Sequence, residues 1–215
     1  MSVIVECWGD YAIFTRPEMK AARVSYDVIT PSAARGIMDS IYWHPGMKWI
    51  IDRITVCNPI RFVNIRKNEI SAIGSLRNAY SSIRAQKEIS GIDGTERVQR
   101  SSMFLKNVRY IIEAHYEVEN DADRDKVYGI VTRRIKHGKC YSTPYFGQRE
   151  CSAYFKECET IPECPEELKG VIDLGMMLYD MDFSNKEMAS PRFFHAKLYD
   201  GVLNVPSRNS EEVVE

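Results

Sequence analysis

No run of the roughly 18 apolar residues that a membrane-spanning helix requires occurs among the 215 residues of this chain, and its start lacks the basic-then-apolar pattern of a secretory signal. The expected location is the cytoplasm, away from membranes. The six cysteines (Cys7, Cys57, Cys140, Cys151, Cys158, Cys164) include no C-x-x-C pair. In a reducing compartment this favours buried or idle thiols over a disulfide framework, with a zinc site from the last four as the lesser reading and no metal site expected. A Walker loop, a G-x-S-x-G elbow and an H-E-x-x-H segment are all missing, which disfavours nucleotide hydrolysis and proteolysis. The acidic stretch Asp121-Ala122-Asp123-Arg124-Asp125 has neither the glycine nor the closing glutamate of a calcium loop and reads as a solvated helix entry. Net charge is nearly absent too: 29 Lys and Arg against 30 Asp and Glu leave −1, which argues against a uniformly basic nucleic-acid binder.

That balance conceals a segregation. Residues 61–109 carry ten Lys or Arg against four acids, and residues 157–215 carry thirteen acids against five basic residues, so one part of the surface suits phosphate and the other does not. Val3–Trp8 reads as a buried strand broken by Gly9-Asp10, with a second apolar piece at Tyr11–Phe14. Thr30 and Pro31 supply a helix N-cap and first position, Ala33, Ala34, Ile37 and Ile41 share a face, and His44-Pro45-Gly46 stops the helix. Strands follow at 49–56 and 59–66. Residues 74–106 form a basic insertion, read as two short helices joined at Gly91 and Gly94. A strand over 107–118 and a helix from Arg124 to His137, ended by Gly138, follow, and with a final strand after that helix the chain is read as a strand-helix-strand-strand-helix-strand order. This is the α+β, ferredoxin-like βαββαβ plan shared with RNA-recognition domains. Residues 1–138 are read as that domain, 139–206 as a smaller antiparallel β domain and 207–215 as a flexible acidic tail.

The stretch Val24–Ile37, closed by Ile41-Tyr42-Trp43-His44-Pro45, pairs a loop rich in cations and aromatics with a small-residue helix that delivers Tyr42, Trp43 and His44 to its end. It reads as a place to hold RNA. RNA is cut without metal when its own 2′-OH attacks the adjacent phosphorus, provided the protein aligns the hydroxyl, removes its proton and stabilises the phosphate charge. Tyr42, His44 and Lys126, the last in the first turn of the second helix where backbone N–H groups favour phosphate, are the candidates. His115 is a further proton carrier, set in a strand, while His137 reads as a helix C-terminal dipole partner or phosphate contact and His195 as structural. Arg16, Lys20, Arg23, Arg35, Arg66, Lys67, Arg133 and Arg134 are read as phosphate contacts, beside the stacking aromatics Tyr26 and Trp43.

Motifs along nearly the full length resemble the CRISPR-associated protein family five, subtype d. They are Trp8-Gly9-Asp10-Tyr11-Ala12, Phe14-Thr15-Arg16-Pro17-Glu18-Met19-Lys20, Val24-Ser25-Tyr26-Asp27-Val28, Thr30–Ile37, Ile41–Pro45, Ile51-Asp52-Arg53-Ile54, Arg66-Lys67-Asn68-Glu69, Ile111–Tyr116 and Phe146–Cys151. The resemblance implies a precursor crRNA endonuclease that cuts at the base of the CRISPR repeat hairpin without a metal cofactor. It implies retention on the crRNA 5′ handle within a type I-C Cascade, beside the backbone and large subunits, with target DNA reached through the complex. Some relatives add a metal-dependent DNase activity, and a non-cleaving handle-binding subunit is the other alternative. The family's cutting tyrosine falls on Tyr42, and its Lys-His pair falls on Lys126 and Val127. Valine moves no proton, so His44 or His115 takes that role, or Tyr42 and Lys126 act without it.

Overall fold

The computed structural model describes residues 2–19, 22–70, 76–86, 97–119, 124–183 and 189–214. In chain order the elements are β1 (Ser2–Ala12), α1 (Pro31–Ile41), β2 (Met47–Val56), β3 (Phe62–Ile70), α2 (Leu76–Ala85), β4 (Arg97–Val118), α3 (Arg124–Lys136), β5 (Tyr154–Glu157), β6 (Val171–Asp182), β7 (Ser190–Tyr199), β8 (Val202–Asn204) and β9 (Val213–Val214). The strands β5-β1-β4-β2 lie side by side, antiparallel throughout. With α1 and α3 as crossovers this is the expected ferredoxin-like arrangement. The sheet then continues from β2 through β8 into β7 and β6, so the β-rich region after residue 139 extends the same hydrogen-bonded ladder.

Alternation places the core. Val3, Val5 and Cys7 of β1, Tyr110, Ile112, Ala114 and Tyr116 of β4, and Trp49 of β2 are buried beneath Ile37, Met38 and Ile41 of α1 and Val127, Val131 and Ile135 of α3. The same cluster includes Met177, Tyr179, Phe194, Leu198 and Leu203 of the later strands. Burial pushes the buried thiols up, Cys57 to about 11, as it does for Cys7.

Three expectations are corrected. Gly9 does not break β1, which runs on to Ala12. Its missing side chain instead admits a close neighbour, since a Cβ there would meet the Ser152 carbonyl oxygen at 2.7 Å. The basic insertion is not a pair of helices: Arg97–Leu105 is strand, paired with β3 from Ile70 back to Phe62, and the described helix is α2, while Gly91 and Gly94 lie outside the described residues. β4 therefore serves first as one arm of this hairpin and then as a central strand. Residues 207–214 are not a loose tail, because Val213 and Val214 pair with Phe194 and Phe193 and Val213 is buried.

Candidate active site

Helix α1 begins as its sequence dictates, with the Thr30 hydroxyl accepting from Ala33 N–H at 3.2 Å and Pro31 in the first turn. It ends at Ile41, and Tyr42 turns to extended backbone at φ −156° and ψ 128°. Two groups fix this terminus. Trp49 Nε1 donates to the Tyr42 carbonyl at 2.8 Å, and Arg134 Nη1 donates to the Ile41 carbonyl at 2.7 Å. The Arg134 guanidinium also lies 5.1 Å from the centre of the Tyr42 ring, a cation over a π face.

The start of α3 is tied to the same place. Trp49 packs edge-on against Tyr116 at 5.3 Å, and the Tyr116 hydroxyl donates to the Arg124 carbonyl at 2.9 Å. A strut of two buried aromatic rings thus joins the C-terminus of α1 to the N-terminus of α3. Between them opens a depression of about 270 Å³ lined by Tyr42, His44, Lys126 and Val127. The His44 ring stands 5.8 Å from the Tyr42 ring, edge to face. His44 Nδ1 is 2.5 Å from the Pro45 carbonyl oxygen. A carbonyl only accepts, so Nδ1 is the donor here, and Nε2 is the nitrogen left to face the depression's contents. Lys126 is exposed, whereas Val127 is buried among the core residues of α3.

The remaining candidates divide. His115 lies on the other face of the sheet from Trp49 and Tyr116, held at Nδ1 by both Asp52 oxygens at 2.8 and 2.9 Å. It lines a separate cavity of about 670 Å³ with Lys48, Glu117 and Asp180, so it is not the proton carrier of the Tyr42 depression. Tyr26 is no stacking platform, for its ring is buried and its hydroxyl bonds the Leu178 backbone. Arg16 is spent internally on Asp27 at 2.7 Å and on the Tyr26 ring at 4.5 Å. Arg35 joins α1 to β6 through two bonds of 3.0 Å to Asp180 and a third to Asp39. Lys67 bonds Gln148 and lies near Glu150, and Arg23 pairs with Glu69 at 3.5 Å. Arg66 and Arg133 are exposed, as is Trp43 at 54%, and Lys20 lies outside the described residues. The sequence reading missed Trp49 and Tyr116 as the strut. Their signal was available only as two aromatics on core-facing strand positions.

A family model described as CRISPR-associated protein, Cas5d, matches residues 2–206. The chain belongs to the Cas5d family. A Cas5d-family protein of Mannheimia succiniciproducens, named CRISPR pre-crRNA endoribonuclease, is 42% identical across 96% of this chain and 95% of its own length. One of Thermus thermophilus bearing the same name is 35% identical across 97% and 93%. Among solved structures, a functionally uncharacterized protein of Streptococcus mutans aligns with TM-score 0.68 at 23% identity, covering 100% of this chain and 97% of that one. A CRISPR-associated protein aligns with TM-score 0.67 at 22% identity and the same coverage. These two share the fold. Tyr42 and Lys126 line one depression, and Val127 beside the lysine is buried.

Proposed function

We propose that this chain is a pre-crRNA endoribonuclease that cuts a CRISPR repeat transcript in the depression between α1 and α3. The observation that carries the reading is the meeting of Tyr42, His44 and Lys126 in one depression, with both Cas5d relatives named for this activity. His44 Nε2 takes the proton of the 2′-OH, whose oxygen attacks phosphorus. Lys126, beside the N–H groups that open α3, holds the phosphate charge, and the P–O5′ bond breaks as O5′ receives a proton from the Lys126 ammonium. The Tyr42 phenol, fixed by Arg134 and Trp49, aligns the attacking hydroxyl by hydrogen bonding. The products are a 2′,3′-cyclic phosphate and a 5′-hydroxyl.

The cut RNA stays bound at its 5′ handle, in a type I-C Cascade alongside backbone and large subunits. Arg66, Arg133 and Trp43 are the exposed cations and ring best placed to meet RNA. The burial of Val127 favours one second reading, a handle-binding subunit without chemistry. Incubating the purified chain with repeat RNA in EDTA and mapping the ends separates the two. A cyclic phosphate at one position supports cleavage, and intact bound RNA supports the second reading. Cutting that requires added divalent metal contradicts the assigned steps.

A further inference from the structure

The Trp8-Gly9-Asp10 motif has no part in the depression described above. Along β1, Val3, Val5 and Cys7 face the helices, so Glu6 and Trp8 stand on the opposite face of the sheet, level with Ile111 and Arg109 of β4. There Trp8 stacks on Tyr154 of β5, with ring centres 6.0 Å apart and planes 26° from parallel. Tyr154 is 59% exposed. Lys156 Nζ lies 5.8 Å from the Trp8 ring centre and 3.3 Å from Glu6 Oε2, while Arg109 Nε donates to Glu6 Oε1 at 2.8 Å. One carboxylate therefore serves two cations, and Asp10 on the same groove balances the second, so the cations act on a ligand locally and not through a net positive field. Trp8, Arg109 and Lys156 line an open groove of about 410 Å³ together with Asp10, Asn58 and Asn107. Asn58 Nδ2 donates to the Asn107 carbonyl at 2.8 Å, which fixes the amide's orientation.

We propose that this groove is a second RNA site, which takes one unpaired nucleotide with its base on the Trp8–Tyr154 pair and its phosphate against Lys156 and Arg109. An aromatic platform accepts the face of any base, and the cations beside it lie where a backbone phosphate follows. Asp10 and Asn58 supply a carboxylate and an amide, the groups that meet base edges. An apolar protein segment laid in the same groove would bury Asp10 and the Glu6 cluster without replacing their water, which disfavours that occupant. The groove and the Tyr42 depression lie on opposite faces of the sheet, so the nucleotide held here is not the one being cut. The inference rests on RNA as the ligand and is independent of which residues cut it.

The test uses the full chain and repeat RNA carrying 4-thiouridine in its unpaired flanks. After irradiation, cross-linked peptides are expected to contain Trp8 or Tyr154. Tyr154→Ser and Lys156→Glu are each expected to weaken binding of an unpaired oligonucleotide about tenfold. Circular dichroism of each variant verifies that it folds. Full affinity in both weakened variants, with every cross-link elsewhere, overturns the site and leaves the groove to a protein partner. Unchanged cleavage by Tyr42→Phe would sink the catalytic reading and leave this one standing.

Discussion

A tyrosine at the end of a helix ordinarily swings freely, but Tyr42 is held on both sides of its Cα. Its carbonyl is taken by Trp49, the carbonyl before it by Arg134, and its ring by the Arg134 guanidinium. Arg134→Met therefore removes a charge-assisted bond and the cation over the ring together. We expect it to slow cleavage at saturating RNA by at least about tenfold while Arg134→Lys recovers part of the loss, because a loosened phenol misaligns the attacking hydroxyl. A variant that instead weakens RNA affinity and spares the rate would assign Arg134 to phosphate. His44→Ala is expected to slow the chemical step by about 10²–10⁴, the usual worth of a general base. Single-turnover rates with RNA fully bound read both.

The elements that present these side chains are braced by the Trp49–Tyr116 strut. Tyr116→Phe deletes the hydroxyl bond to the Arg124 carbonyl and is expected to cost roughly 0.5–1.5 kcal/mol in denaturant unfolding, with a fall in cleavage because the first turn of α3 carries Lys126. Unchanged stability and rate would show that α3 needs no such anchor. A sharper effect awaits at Gly147, which adopts φ +81° with Ile13 O only 1.9 Å from where a Cβ would sit. Gly147→Ala combines left-handed strain with a backbone clash, so a loss of more than about 2 kcal/mol is expected, read as a lowered melting temperature. The helix boundaries were legible in the sequence, since Thr30, Pro31 and Gly138 signal them through local chemistry. β4 was not, because Arg97–Lys106 belongs to a hairpin with largely solvent-facing side chains and shows no period-2 alternation of apolar residues.

At the scale of the whole molecule, sequence-distant partners decide what each cation does. Arg16, Arg35 and Lys67 read as phosphate contacts when seen alone, yet Asp27, Asp180 and Gln148 claim them, and nothing local foretells a partner 145 residues away. The same limit hid β9 and the seam between α1 and β6, while the ferredoxin-like order as far as α3 followed from strand and helix patterns and its last strand, β5, lies past residue 138. The pairing of Tyr42 with Lys126 was legible through family resemblance, and the fold explains it by bringing two helix ends onto one strut. The most direct measurement is single-turnover cleavage of an end-labelled repeat hairpin by wild type, Tyr42→Phe and Lys126→Ala, with filter binding in parallel. Cutting should vanish in both variants while affinity stays within a few-fold. Wild-type cutting in both would place the chemistry elsewhere in the molecule.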